Sequence, residues 1–253
     1  MPDTSAICVF CRRICLLFLG GLTLCAHAGE LTILTEDLPP LSYEKNGEIT
    51  GYATEIVQAV LDTAGLKGKI QVMPWKRALQ TAMSQPDILI YPTTRLPERE
   101  QQFEWIGPLS PRTIAIFKLR SRKDIQIKTL ADVAPHSVGM VREMASTKEF
   151  IEAMAAYDSH IDYAPTVESN VKKILQGRID LIVAQEWSAA YLLKTLGHTQ
   201  DELESVMVLD KTTMYWLAMN KQSDPVLVKK IRKAFDKIQQ SGLMDKLKNP
   251  NMR

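Results

Sequence analysis

The sequence predicts an α/β protein with two similar lobes, each a mainly parallel sheet flanked by helices. The first observation is an alternation of short apolar strands and helical segments from Leu31 onward, in the order β-α-β-α-β. The second is that this pattern restarts after about residue 113 and continues to about residue 196. The third is a pair of extended segments, near 113–119 and 209–217, which we expect to cross between the lobes as two hinge strands.

The predicted elements of the first lobe are short and closely spaced. The apolar segments Leu31–Thr35, Lys69–Met73 and Asp87–Ile90 are typical of strands that are largely buried. Helices are predicted at Gly51–Ala64 and Trp75–Ser84, because apolar residues recur there at helical spacing. Helices that connect successive strands favour a parallel sheet with helices on both faces.

The second lobe repeats this scheme. Its predicted elements are, in order, a helical turn at Leu130–Val133, a strand at Ser137–Val141, a helix from about Ser146 to Ala156, a strand at Ile161–Tyr163, a helix at Val167–Gln176, a strand at Ile179–Ala184 and a helix at Glu186–Leu196. Thr213–Met219 is then extended, and Pro225–Gln240 has the apolar stripe of an amphipathic helix. We therefore assign 29–117 and 211–253 to the first lobe and 118–210 to the second.

The amino-terminal residues predict a secretory signal peptide at 1–28. Arg12 and Arg13 precede an apolar run that ends at Cys25, and Ala26-His27-Ala28 has the small residues of a cleavage site. The run is shorter than the roughly 20 apolar residues that a membrane anchor needs. A lipoprotein would be modified at Cys25, but Leu24 stands where a small residue is required. We expect cleavage after Ala28 and a periplasmic mature protein.

Composition narrows the functional classes of the mature chain. Cys8, Cys11, Cys15 and Cys25 all precede Ala28, so the mature chain has no disulfide and no cysteine metal ligand. The signal peptide also contains Arg12, Arg13 and Asp3, and removing them from 31 basic and 29 acidic residues leaves a net charge of +1. This balance gives no reason to expect binding to nucleic acid. No cofactor motif or metal-ligand spacing is present, so we expect neither group.

The stretch Asp87–Pro108 carries the most informative chemistry. A buried strand at Ile88–Ile90 leads into a polar turn that contains Thr94, Arg95 and Arg99. Ligands of open α/β sheets bind beyond the carboxyl ends of the strands. Arginine suits a carboxylate because its planar fork donates two parallel hydrogen bonds. The stretch therefore predicts a pocket for a small anionic or zwitterionic solute.

Short motifs along the chain carry a family resemblance. They are Leu31-Thr-Ile-Leu-Thr-Glu-Asp37, Pro39-Pro-Leu-Ser-Tyr43, Gly51-Tyr-Ala-Thr-Glu55, Thr94-Arg-Leu-Pro-Glu-Arg99 with Phe103 and Pro108, Ser137-Val-Gly139, Gly177-Arg-Ile-Asp180 and Ser241-Gly-Leu-Met-Asp-Lys-Leu247. Together they resemble the periplasmic solute-binding proteins of bacterial ABC importers, family 3, which bind polar amino acids. The resemblance covers nearly all of the mature chain and implies the two-lobe periplasmic-binding-protein-like fold of type II.

The resemblance implies ligand-binding roles for residues of the first lobe. In the family, an arginine five residues after a ligand-contacting Ser or Thr holds the ligand carboxylate, and Arg99 follows Thr94 at that spacing. Pro92 matches the position whose carbonyl often accepts a hydrogen bond from the ligand amine. Tyr43 and Trp75 resemble the walls that cover the ligand.

Tyr91 and Arg95 are each open to two interpretations. Tyr91, just before the binding turn, is either a further wall or a core residue. Arg95 is an addition to the family pattern, and it is either a second anion contact or a solvated side chain.

In the second lobe, the resemblance places Arg142, Ser146 and Gln185 at the ligand. Gln185 occupies the position where the family has the acidic partner of the ligand's α-ammonium group, and Glu186 follows it. A buried cation without a counter-charge is unstable. Either Glu186 supplies the charge, or the ligand is not an ordinary α-amino acid.

The resemblance implies a monomeric, non-enzymatic binding protein that closes on an amino acid or related carboxylate and delivers it to an inner-membrane ABC permease. Two alternatives stay open. One is an enzyme on the same fold, similar to cyclohexadienyl dehydratase, for which Asp37, Glu143 and Glu186 are the available carboxylates. The other is a ligand receptor for a membrane sensor, which would use the same closure.

Overall fold

The structure is a computed structural model that describes residues 30–251. The predicted signal peptide at 1–28 lies outside the described residues. Two five-stranded β-sheets, each with helices on both faces, form two lobes, which confirms the predicted fold class. A separate two-stranded sheet is formed by residues 43–45 and 48–50.

The described residues form twelve strands and seven α-helices. In chain order the strands are β1 (Leu31–Thr35), β2 (Tyr43–Lys45), β3 (Glu48–Thr50), β4 (Gly68–Val72), β5 (Ile88–Thr94), β6 (Phe103–Pro111), β7 (Ile114–Leu119), β8 (Ser137–Val141), β9 (His160–Ala164), β10 (Leu181–Gln185), β11 (Leu203–Asp210) and β12 (Met214–Asn220). The helices are α1 (Tyr52–Ala64), α2 (Trp75–Ser84), α3 (Ala145–Ala153), α4 (Val167–Leu175), α5 (Glu186–Thr195), α6 (Pro225–Gln240) and α7 (Leu243–Asn251). Short 3-10 turns occur at Pro97–Arg99, Leu130–Val133 and Gln200–Glu202.

Each lobe contains one sheet in which most strands run in one direction. The first sheet has the order β4-β1-β5-β12-β6, and β12 alone among these described strands runs opposite to its neighbours. The second has the order β11-β7-β10-β8-β9, in which β7 is the reversed strand. The two reversed strands, β7 and β12, are each the first strand after the chain passes from one lobe to the other.

Helices cover both faces of each sheet through their apolar stripes. In the first lobe, α1 and α6 pack on one face, while Ala78 and Ala82 of α2 pack on the other. In the second lobe, α4 and α5 cover one face, while Phe150 of α3 covers the other. Helix ends follow local signals: α1 stops at Gly65, which has a left-handed backbone conformation with φ 61°.

In the structure, the chain passes between the lobes at two very short segments. Residues 112–113 connect β6 to β7, and residues 211–213 connect β11 to β12. The segments 113–119 and 209–217, which the sequence suggested as crossings, lie mostly within strands of the two sheets. β7 pairs with β10 and β11, so residues 114–117 belong to the second sheet rather than to the first lobe.

Arg112 ties the two passages together. Its side chain is 1% exposed and forms a two-point ion pair with Glu149 of α3, with nitrogen–oxygen distances of 2.9 and 2.8 Å. The same guanidinium donates to Asp210 at 2.8 Å and to Thr213 at 2.9 Å, both beside the second passage. One buried cation therefore joins both connections and a helix of the second lobe.

Gly107 is a tight packing point in β6. A Cβ atom at this position would lie 2.0 Å from the ring of Phe235, a residue of α6 that is 1% exposed. Neither the strand backbone nor the buried ring has free space to retreat.

We therefore expect Gly107→Ala to lower the free energy of unfolding by about 1–3 kcal/mol, because overpacking strains the interface between β6 and α6. Urea denaturation of the mature protein measures this change. The double variant Gly107→Ala/Phe235→Leu should show a favourable coupling, since leucine removes the ring atoms that clash. Additive effects of the two changes would contradict the proposed contact.

Candidate functional site

A small buried cavity lies where the two lobes meet. Its volume is about 20 Å³, enough for roughly one water molecule. Its lining comes from both lobes and from the first passage between them. The lining residues are Glu36, Trp75, Pro92, Thr94, Arg99, Arg112, Met144, Ala145, Ser146 and Tyr215. We call it the inner cavity.

The fold places these groups together because they follow the carboxyl ends of neighbouring strands. Glu36 comes directly after β1, Pro92 and Thr94 are the last part of β5, and Ser146 belongs to the first turn of the helix that follows β8. This edge of a parallel sheet is where α/β proteins bind small ligands. Residues of both lobes therefore lie together at the sheet edge where ligands are expected to bind.

Arg99 is a buried cation with most of its donors unused. It is 4% exposed, and among the described residues its guanidinium makes one hydrogen bond, from Nη1 to the Thr94 carbonyl oxygen at 3.2 Å. The guanidinium carbon lies 5.5 Å from the ring centre of Trp75. Burial lowers the pKa of Arg99, against the opposing effects of the Glu98 and Glu36 carboxylates. An arginine has five N–H donors, so this one can accept an anionic partner.

Glu36 is the acidic group of the inner cavity. Burial raises its pKa to about 8, even though Arg99 acts in the opposite direction, and Asp37 raises it further. The carboxyl group of Glu36 is therefore largely protonated at neutral pH. In that form it can both donate and accept a hydrogen bond beside Arg99.

A second and wider cavity adjoins the first. Its volume is about 660 Å³, and it shares the side chains of Glu36, Trp75 and Met144 with the inner cavity. The remaining lining residues are Asp37, Val72, Met73, Pro74 and Lys76 of the first lobe, and Val141, Arg142, Tyr163, Ala164, Pro165, Thr166 and Val167 of the second. We call it the outer cavity. The two cavities together form the cleft between the lobes.

Several contacts cross the cleft. The indole Nε1 of Trp75 donates to the carbonyl oxygen of Glu143 at 3.1 Å, and Lys76 forms an ion pair with the Glu143 carboxylate at 3.3 Å. Lys148 of α3 pairs with Glu98 at 2.8 Å. Both ion pairs are solvent-exposed, so each contributes little to stability. These contacts join the lobes in a closed arrangement. Breaking the ion pairs when the lobes open would cost little free energy.

Six of the ten residues expected at the ligand line the cleft. Trp75, Pro92, Thr94, Arg99 and Ser146 surround the inner cavity, and Trp75 and Arg142 line the outer cavity. The guanidinium of Arg142 lies 3.9 Å from the ring centre of Tyr163.

The other four expected residues line neither cavity. Tyr43 packs its ring against Tyr191 of the second lobe, with ring centres 5.3 Å apart. Tyr91 is fully buried, and its hydroxyl hydrogen-bonds to Thr54 at 2.9 Å. Arg95 is paired with Glu100 and stacked over Trp216 on the outside of the first lobe.

Gln185 has a structural role at the start of α5. Its side-chain oxygen accepts a hydrogen bond from the backbone N–H of Ser188 at 2.7 Å, which caps the helix. Gln185 and Glu186 line neither cavity. Of the other carboxylates considered for catalysis, Asp37 lines the outer cavity and Glu143 is engaged with Lys76. Within residues 30–251, no cluster of three His, Cys, Asp or Glu residues could hold a metal ion.

Sequence reasoning missed five lining residues of the inner cavity: Glu36, Arg112, Met144, Ala145 and Tyr215. Glu36 was detectable, because it directly follows an apolar strand and such positions gather at one sheet edge. Arg112 and Tyr215 had no comparable local signal, since only the passage between lobes brings them to the site.

The comparisons with known proteins agree with this architecture. Residues 31–252 match the model of the bacterial extracellular solute-binding proteins, family 3. A curated relative, the arginine-binding extracellular protein ArtP of Bacillus subtilis (strain 168), is 23% identical over 214 residues, covering 84% of this chain and 81% of ArtP.

Solved structures with the same fold have low sequence identity. An ancestral arginine-binding protein bound to arginine superposes with a TM-score of 0.79 at 20% identity, covering 89% of this chain and 99% of that one. A histidine kinase sensor domain with similarity to periplasmic binding proteins gives a TM-score of 0.78 at 16% identity, covering 88% and 96%. None of the helices within residues 30–251 has the length and apolar content needed to cross a membrane.

Glu36 provides a test of the site's electrostatics. Because burial raises the pKa of Glu36 to about 8 from its ordinary value of 4.5, the folded protein keeps a proton that the unfolded chain loses. This contribution is fully present below pH 4.5 and is lost as the pH rises through 8. Between pH 5 and 8, the free energy of unfolding should fall by about 1–4 kcal/mol more in the wild type than in Glu36→Gln.

Urea denaturation at several pH values measures this difference. Glu48→Gln is a matched control, because Glu48 is an exposed carboxylate on the β2–β3 hairpin. It should keep the wild-type pH profile. Parallel profiles for the wild type and Glu36→Gln would show that Glu36 is not held protonated by the fold.

Proposed function

The chain belongs to the bacterial extracellular solute-binding proteins of family 3, and we propose that it captures a small carboxylate-bearing solute, such as an amino acid or a derivative, in the cleft between its lobes. The observation that carries this proposal is the buried guanidinium of Arg99, which uses one of its donors within the protein. A buried cation is costly unless an acceptor completes its hydrogen bonds. A carboxylate matches that requirement in charge and shape.

Lobe closure supplies the binding mechanism. In an open form, Thr94 and Arg99 of the first lobe would meet the carboxylate first. Closure about the two short passages would then bring Ser146 and the backbone at the start of α3 onto the ligand. Exclusion of water strengthens each polar contact in the closed cleft. The exposed ion pairs between the lobes are weak enough to let the cleft reopen.

We propose that the closed form, which differs in shape from the open form, delivers the ligand to an inner-membrane ABC permease. We propose that the mature protein acts in the periplasm as a monomer, after removal of residues 1–28. An arginine-binding relative and an arginine-bound structure of the same fold support an amino acid or related compound as the cargo. A non-enzymatic role agrees with a family of binding proteins.

Replacement of Arg99 by alanine tests the carboxylate site. We expect Arg99→Ala to weaken binding by about 30-fold or more, because a charge-assisted, buried contact is lost. Isothermal titration calorimetry of the mature protein against a panel of amino acids and small carboxylates measures the affinity.

Arg95→Ala is the matched control. It removes the same side chain from an exposed position, four residues earlier, where the guanidinium stacks on Trp216 and pairs with Glu100. It should bind the panel like the wild type. Wild-type affinity in folded Arg99→Ala, or an equal loss in both variants, would refute the role of Arg99.

A further inference from the structure

The two cavities of the cleft differ greatly in size. The inner cavity, beside Arg99, has a volume of about 20 Å³, whereas the outer cavity has about 660 Å³. Glu36, Trp75 and Met144 belong to the walls of both. A carboxylate held at Arg99 therefore leaves the rest of its molecule in the outer cavity. The space for that part is far larger than a small amino acid fills.

The walls of the outer cavity are mostly apolar. Trp75 and Tyr163 contribute aromatic surfaces from opposite lobes, and Met73 and Met144 contribute flexible thioethers, which pack well against aromatic rings. The other apolar lining residues are Val72, Pro74, Val141, Ala164, Pro165 and Val167. Such walls favour a ligand body that gains from leaving water.

The charges of the outer cavity do not favour a cationic body. Arg142 and Lys76 are both in its lining, and since Lys76 is paired with the Glu143 carboxylate, a guanidinium or ammonium group would meet the charge of Arg142. Its acidic lining residues are Glu36 and Asp37, and burial raises the pKa of both. Gln185 and Glu186, on the second lobe, do not reach either cavity. An uncharged body avoids this repulsion.

We propose that the ligand is an elongated carboxylate with an aromatic or otherwise apolar body. This inference rests on the proposed carboxylate site at Arg99, and it places the apolar body in the outer cavity between Trp75 and Tyr163. Met144 lines both cavities, as do Glu36 and Trp75. Because the inner cavity holds roughly one water, Met144 has to shift when a carboxylate enters. An unbranched methionine side chain can make that movement easily.

Calorimetry of the mature protein with four probes tests this assignment. The probes are 3-phenylpropionate, L-phenylalanine, L-arginine and acetate. We expect 3-phenylpropionate or L-phenylalanine to bind at least about tenfold more tightly than L-arginine and acetate.

Val72→Trp is the decisive variant, because the indole would occupy part of the outer cavity. It should weaken binding of the aromatic probes about tenfold or more. Val208→Trp makes the same substitution on β11, at a site that is 48% exposed and outside the cavity lining, and it should bind like the wild type.

The results separate this inference from the proposed function. Tightest binding of L-arginine, or aromatic binding unaffected by Val72→Trp, overturns the apolar-body assignment while the carboxylate site stands. Loss of binding in both valine variants also overturns it, since the effect would not come from the cavity. Aromatic carboxylates that bind equally well to Arg99→Ala would instead refute the carboxylate site itself.

Discussion

The buried ion cluster around Arg112 is the constraint on which the arrangement of the lobes depends. Both chain passages between the lobes are only two or three residues long. Arg112 belongs to the first passage, and its guanidinium contacts Thr213 of the second passage and Glu149 of α3. A buried ion pair is seldom stabilising relative to apolar residues, but removal of one partner leaves buried charges uncompensated. Arg112 therefore contributes less to net stability than to a defined geometry at the hinge. The position of α3, and with it Met144 and Ser146, follows from that geometry.

The two buried arginines of the cleft differ in how their hydrogen bonds are completed. Both Nη atoms of Arg112 donate to Glu149, Asp210 or Thr213 and only its Nε has no partner among the described residues, whereas Arg99 has one partner, the Thr94 carbonyl oxygen. The first is a structural cation, and the second has the unsatisfied donors of a recognition site. Residue type and burial are the same in both. The distinction comes entirely from the neighbours that the fold supplies.

The sequence predicted best the helices whose ends carry clear local signals. The bounds of α2 and α6 agree with the prediction, because apolar spacing and proline mark them clearly. β6 was missed, since Gly107, Pro108 and Pro111 are unfavourable in most strands. The structure tolerates them because β6 is at the edge of its sheet.

The site was less predictable than the fold, because its residues come from distant parts of the chain. Thr94 and Arg99 are five residues apart, the spacing through which the family resemblance predicted both at the ligand, and both line the inner cavity. Gln185 matched a ligand position in sequence, but its side chain caps α5 instead. The membership of β7 in the second sheet likewise depends on pairing with β10 and β11, which no local pattern of apolar residues reveals.

The position of β12 has a consequence for how the chain folds as it is synthesised. β12 lies between β5 and β6 in the first sheet, yet it follows the whole second lobe in sequence. Until residues 214–220 emerge, β6 has no partner in that sheet and the apolar face around Leu217 and Met219 is missing. The second lobe has all of its strands before then. The lobe that is synthesised first is thus the last to complete its core, and long-range pairing of this kind slows folding.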